Sequence, residues 1–219
     1  MIKAVIFDID GTISPEISWV ALTRDLGASV EEHDMIFKRF LSGDLSYEDS
    51  KKQLIEMWNK TGNANKTYIT HLFHQWTLYP EASELFSYLH KRQIITCLIT
   101  GSFDLYAQVF AKRLGVKHFY ANTKLLWDEK GNLMDFDYVK NQSEEKVNHL
   151  KEFCKTTLLS ADECIVVGDD DNDTGIFTLT GKGISVISET SHKLDAVAWK
   201  KAQNLEEVKH ICQKALQIA

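Results

Sequence analysis

Carboxylates recur in this chain where apolar runs stop. Ala4-Val5-Ile6-Phe7 is followed at once by Asp8-Ile9-Asp10-Gly11-Thr12, and Cys164-Ile165-Val166-Val167 by Gly168-Asp169-Asp170-Asp171-Asn172-Asp173. A third apolar run, Ile94 to Ile99, stops at Thr100-Gly101-Ser102. If these ends converge, up to six carboxylates face one crevice. Two unit charges about 4 Å apart repel by roughly 4 kcal/mol at an effective dielectric near 20, so such a cluster requires a cation. Oxygen-only donors select a hard ion, and a few carboxylates completed by water suit Mg²⁺. Each cluster alone has an ordinary reading: Asp-x-Asp-Gly is a common turn, and an acidic loop is usually solvated. Asp169, Asp171 and Asp173 alternate as in a calcium loop, but that loop needs Gly at its sixth position and Glu at its twelfth. Thr174 and Thr180 stand there. Three clusters, each just past an apolar run, are much harder to attribute to chance.

The elements that must position these groups are legible in outline. Short, wholly apolar runs read as buried parallel strands, and in open parallel sheets ligands bind beyond the carboxyl ends of the strands. From Ile17 to Trp76 the pattern is helical, with Leu54, Ile55 and Trp58 on one face and Ser46-x-x-Asp49 as a capping box. Gly27, Gly43 and Gly62 mark helix ends, so three or four helices and no strand are expected there. After Pro80 helix and strand alternate. A helix carries Ala82, Leu85, Phe86 and Leu89, then comes the strand Ile94 to Ile99, a helix with Tyr106, Val109, Phe110 and Leu114, and a short strand near Phe119. Asn122 to Tyr138 suggest a hairpin turning at Glu129-Lys130-Gly131-Asn132. A helix from Ser143, the strand Cys164 to Val167, a short helix near Gly175 to Leu179, a strand Gly183 to Ile187 and a last helix with Leu205, Val208, Ile211, Cys212 and Leu216 complete the chain. This rhythm predicts an α/β fold: a three-layer, Rossmann-like parallel sheet core with a small helical cap inserted after the first strand. The core is assigned to residues 1–14 and 78–219 and the cap to residues 15–77.

Composition narrows the function. The 219 residues are 44% hydrophobic with a formal net charge of −6, enough apolar matter for a core and the wrong balance for a nucleic-acid binder. No segment approaches the ~18 to 20 apolar residues that would span a membrane, and no signal peptide is expected from Met1-Ile2-Lys3 and the short apolar run that follows. Cys97, Cys154, Cys164 and Cys212 form no Cys-x-x-Cys pair and lie among apolar residues, as buried free thiols do; a cytoplasmic location is expected.

The spacing and order of these clusters resemble the haloacid dehalogenase superfamily. Phe7-Asp8-Ile9-Asp10-Gly11-Thr12 is similar to its first motif, Thr100 in Thr100-Gly101-Ser102-Phe103-Asp104 to its second, Lys146 to its third, and Gly168-Asp169 through Asn172-Asp173 to its fourth. Thr-Gly-Ser-Phe-Asp, Tyr120-Ala121-Asn122 and the small helical cap resemble the phosphoserine phosphatase branch. The resemblance implies a Mg²⁺-dependent phosphatase acting on a small phosphorylated metabolite, with phosphoserine among the candidates. Asp8 would be nucleophile and metal ligand. Asp10 would be general acid and base, with its backbone carbonyl on the metal. Asp169 would complete the metal site, and Asp173 would hold the metal shell or Lys146. Thr100, Gly101, Ser102 and Asn172 would meet the phosphate. The hydroxyls beside Gly101 also suit a helix N-cap, Ser102 in particular. Lys146, placed in the first turn of a helix capped by Ser143, would oppose the helix dipole, and Lys140 and Lys151 are rivals for its role. Glu16 stands near the position of a substrate-binding glutamate. Two departures stand out: Asp170 replaces a usual glycine, and Leu54 stands where a cap arginine would meet a substrate carboxylate, with only Lys51 and Lys52 nearby. The same motifs serve phosphotransferases and phosphomutases, and a non-catalytic binding protein on this scaffold is the alternative from another class.

Overall fold

The structure is a computed structural model and describes residues 1–186 and 192–217. Its centre is the strand β1 (Ala4–Phe7), every residue of which is buried. β1 pairs in parallel with β2 (Ile95–Phe103) on one side and β5 (Cys164–Gly168) on the other. Phe7 lies opposite both Leu98 and Val167, so the register carries the ends of β1 and β5, and the polar end of β2, to one side of the sheet. β3 (His118–Trp127) extends the sheet beyond β2, and β4 (Leu133–Tyr138) closes that edge antiparallel to it. β6 (Gly183–Val186) and β7 (Lys200–Ala202) continue it beyond β5, giving the order β4-β3-β2-β1-β5-β6-β7. The order reverses direction at β1, the position where open α/β sheets form a crevice.

Alternation along β1 separates two cores, as the period of two in a pleated strand demands. Val5 and Phe7 face one layer with α5 (Ala82–Lys91), α6 (Asp104–Leu114) and α10 (Leu205–Gln217). Ala4 and Ile6 face the other, with Leu150 and Phe153 of α7 (Gln142–Thr157) and Ile176 and Phe177 of α8 (Thr174–Thr180). The cap is α1 (Ser18–Leu26), α2 (Val30–Ser42), α3 (Tyr47–Lys60) and α4 (Lys66–Gln75), four helices and no strand among the described residues. Ser46 accepts the Asp49 backbone N–H at 3.0 Å as its N-cap. The cap is not a separate globule: Trp58 and Phe73 pack their rings on Phe103 of β2 and share one hydrophobic cluster with the core. The β3–β4 hairpin is tied to it as well. Leu133 N–H donates to Ala64 O and Lys66 N–H to Gly131 O, each at 2.8 Å, and Lys51 meets Asp135 at 3.1 Å.

Several expected boundaries move. β2 does not stop at Ile99 but runs through Thr100-Gly101-Ser102 to Phe103, with a register irregularity between Thr100 and Phe103. The short strand near Phe119 and the first arm of the hairpin are one ten-residue strand. α7 is capped by Asn141, not Ser143, so Lys146 lies beyond the first turn and does not oppose the helix dipole. Ser102 is no N-cap, since α6 follows Phe103 without a side-chain cap. The end of the expected strand at Ile187 lies outside the described residues. A six-residue helix, α9 (His192–Val197), and β7 went unread, because Lys200-Lys201-Ala202 is an edge strand with one apolar residue and no alternation to detect. Cys97, Cys164 and Cys212 are buried free thiols, and Cys154 is half-buried.

Candidate active site

The crevice is built by three strand ends that the sheet brings side by side. Asp8 leaves β1 with its backbone N–H on Val167 O at 2.9 Å, which sets it beside the exit of β5. Asp169 and Asp173 come from that exit, and one oxygen from each of Asp8, Asp169 and Asp173 lies within 4.8 Å of the others. Two glycines make this convergence possible. At Gly168 a Cβ would stand 2.3 Å from Asp173 Oδ2. At Gly11 a Cβ would stand 2.1 Å from Asp169 Oδ2, and its φ of +69° belongs to the left-handed region that glycine enters without strain.

Lys146 reaches in from α7 and is wholly buried. Its Nζ lies 2.7 Å from Asp173 Oδ1 and 3.0 Å from Asp8 Oδ2. Burial works against its charge, but Asp173 and Asp8 outweigh it and hold the ammonium above the ordinary lysine range. Lys140 lies over the Phe40 ring and Lys151 is exposed, so neither rival enters the site. One buried lysine faces three carboxylates, a surplus of negative charge. Burial and the Asp8 charge push Asp169 up to about 7, against a 2.6 Å hydrogen bond from the Thr12 hydroxyl. Burial likewise drives Asp173 upward. Asp8 Oδ1 and Asp173 Oδ2 are buried with no hydrogen-bond partner. Orphaned carboxylate oxygens beside a raised carboxyl fit a divalent cation, and all-oxygen donors fit Mg²⁺.

Asp10 stands apart from that cluster. It is not on β1, so strand alternation does not align it with Asp8. The turn at Gly11 swings it over, and a bridge to Ser14 holds it. Its Oδ2 accepts both the Ser18 N–H at 2.9 Å and the Ser18 hydroxyl at 2.5 Å. The Ser18 hydroxyl also contacts the Ser102 hydroxyl, so Ser102 supports the hold on Asp10. Burial pushes Asp10 up to about 7; the Ser18 bonds oppose this, and the Asp8 and Asp169 charges add to it. A carboxyl poised near neutrality can give and take a proton there.

The second strand end supplies hydroxyl and amide groups. Thr100 is buried, and its Oγ1 accepts the Ser102 N–H at 3.1 Å, so that N–H is already engaged while the Thr100 hydroxyl proton is still available. Thr100, Gly101, Ser102, Asn172, Asp169 and Asp170 share one cavity with Asp8 and Asp10. Asn172 donates to Asp170 Oδ2 at 2.8 Å and keeps a buried, unpartnered Oδ1. Asp170 turns onto its own loop: its Oδ1 accepts the Asp171 N–H at 2.6 Å, which answers for the acid where glycine was expected. Glu16 pairs with Arg24 at 3.4 Å and is not among the cavity residues. Leu54 and Lys51 do line the cavity. Thr12, Ser18, Phe136, Tyr138 and Gln142 escaped the sequence reading. Thr12 stands two residues from Asp10 and could have been suspected, whereas Ser18 is eight residues from the acid it holds and β4 carried no signal of facing the site.

A family model for haloacid dehalogenase-like hydrolases matches residues 2–176. A phosphoserine phosphatase of Methanocaldococcus jannaschii is 22% identical over 208 residues, covering 94% of this chain and 95% of its own. A phosphoserine phosphatase of Lactococcus lactis is 22% identical over 197 residues, covering 86% and 85%. The structure of a substrate-bound phosphoserine phosphatase complex superposes with a TM-score of 0.73 at 20% identity, covering 95% of this chain and 97% of that one. With the family model spanning most of the sequence and the motif residues meeting in one crevice, the chain belongs to the haloacid dehalogenase-like hydrolases.

Proposed function

We propose that this protein is a Mg²⁺-dependent phosphomonoester phosphatase in which Asp8 takes the phosphoryl group and water then removes it. The observation that carries the reading is the division of labour between two neighbouring carboxylates. Asp8 is held by a buried lysine with one oxygen unspent, while Asp10 is gripped by Ser18 and raised to about 7. Asp8, Asp169 and Asp173 would hold the metal, with the Asp10 backbone carbonyl as a further donor. When bound, Mg²⁺ would offset the negative charge of nucleophile and phosphate.

The chain's own residues do the rest. Asp8 attacks phosphorus with its oxygen, and Asp10 hands its proton to the departing oxygen of the ester. Asp10, now a carboxylate, takes a proton from the incoming water, which displaces Asp8 and frees phosphate. Thr100, Gly101 and Asn172, which line the same cavity, would surround the phosphate oxygens, and Lys146 holds the nucleophile in position. Both relatives that align over nearly their full length are phosphatases, which supports the reading. Among the described residues no helix is long and apolar enough to cross a membrane.

Purified protein with a phosphomonoester panel and Mg²⁺ should release inorganic phosphate, and excess EDTA should stop it. Asp8→Asn should abolish release while the fold persists. Wild-type turnover in that variant would end the proposal, and phosphate returned to an organic acceptor instead of water would make the protein a phosphotransferase.

A further inference from the structure

We propose that the alcohol or phenol released by this enzyme is a large apolar group rather than an amino acid; this rests on the phosphatase reading above. A cavity of about 640 Å³ runs from Asp8 and Asp10 into the space beneath the cap. That is the volume of about twenty water molecules at ~30 Å³ each, and within the ~300–1,000 Å³ of sites that enclose drug-sized ligands. Phosphoserine would fill only a fraction of it.

The wall away from the carboxylates is apolar and already assembled. Trp19, Phe40, Tyr47, Leu54, Phe136 and Tyr138 line it. Phe136 and Tyr138 meet Trp19 edge-on at 5.3 and 5.9 Å, and Tyr47 stacks on Tyr138 at 6.2 Å. The Tyr47 hydroxyl accepts the Tyr138 N–H, so its polar end is engaged. At the rim, Ile17 and Phe37 line the same cavity yet are 56% and 49% exposed. Exposed apolar side chains bordering a cleft mark where a ligand covers them.

The charges point the same way. Among the described residues no arginine lines the cavity. Lys51 is matched by Asp135 at 3.1 Å and Glu48 at 3.8 Å. His33 is bonded through Nδ1 to the Thr23 hydroxyl, and burial lowers its pKa, favouring the neutral ring. Asp34 and Asp170 add negative charge to the lining. A substrate carboxylate would enter without an uncommitted cation, whereas an alkyl or aryl group would find matching walls.

A homologous series of alkyl monophosphates tests this, because the ester oxygen and its leaving ability stay nearly constant while apolar length grows. With the full chain and Mg²⁺, kcat/KM should rise about fourfold for each of the four methylenes buried from ethyl to hexyl phosphate, roughly 250-fold in all. Benzyl phosphate should exceed ethyl phosphate at least tenfold, and phosphoserine should fall below butyl phosphate. Leu54→Trp should make the rise stop at a shorter chain. Phe37→Ser, at an exposed position, should reduce the gain over the last methylenes of the series. A profile flat within threefold, or phosphoserine tenfold above hexyl phosphate, overturns the inference and leaves the phosphatase reading standing. No phosphate from any member of the panel overturns both.

Discussion

Replacing Lys146 with methionine probes the charge balance on which the site depends. Methionine keeps an unbranched apolar stem and removes the ammonium. Lys146 sits 2.7 and 3.0 Å from two buried carboxylates and is itself wholly buried. At those distances each contact carries on the order of 5 kcal/mol of Coulomb attraction at an effective dielectric near 20, most of it offset by desolvation. Removing one partner of such a buried group typically costs ~3–5 kcal/mol, because the other charges stay buried without compensation. At about 2–4 °C per kcal/mol for a chain of this length, the metal-free variant should melt about 6–20 °C lower. Circular dichroism on metal-free protein reads this directly. The double variant Lys146→Met/Asp173→Asn alters both partners of the 2.7 Å contact at once. It should therefore melt above the level that adding the two single losses predicts, by ~0.5–3 kcal/mol of coupling. A single variant within 1 kcal/mol of wild type, or strictly additive losses, would refute the reasoning.

The proton-transfer and metal-binding roles can each be probed in turn. Asp10→Asn should lower kcat by ~10² to 10⁴ while the phosphorylated enzyme accumulates, seen by mass spectrometry after rapid quenching; a large rise in KM at unchanged kcat would remove Asp10 from proton transfer. Gly168→Ala places a Cβ 2.3 Å from Asp173 Oδ2 and must displace that carboxylate. Its Mg²⁺ affinity by calorimetric titration should fall at least tenfold, and an unchanged affinity would mean Asp173 is not needed for the metal. Mg²⁺ at about 100 times its dissociation constant should stabilise the wild type by ~2.7 kcal/mol, raising its melting temperature by about 5–11 °C. No rise at any concentration would contradict the assignment of the carboxylate cluster.

What the sequence alone determined was local. β1 and β5 are uninterrupted apolar runs, and an acid directly after such a run must lie at the carboxyl end of a buried strand. Asp8 and Asp169 were therefore readable as neighbours at one crevice, and Asp173 was readable only through the acidic run that follows β5. The cap helices were readable for the same reason, because Ser46 and Gly43 announce their boundaries within a few residues. Tertiary structure decided whatever depends on residues distant in sequence. The choice of Lys146 over Lys140 and Lys151 rested on resemblance until the fold showed which lysine α7 turns inward. Asp10 owes its position to the Gly11 turn and to Ser18, not to strand alternation. Glu16, plausible by position, is drawn to Arg24 on α1, where a cation is within reach. The largest gap was the cavity wall. Phe136 and Tyr138 alternate along β4 like any half-buried strand, and nothing local says that the hairpin folds against α3 to face the carboxylates. Periodicity reports which face of an element is apolar; only packing determines whether that face meets the core or a substrate.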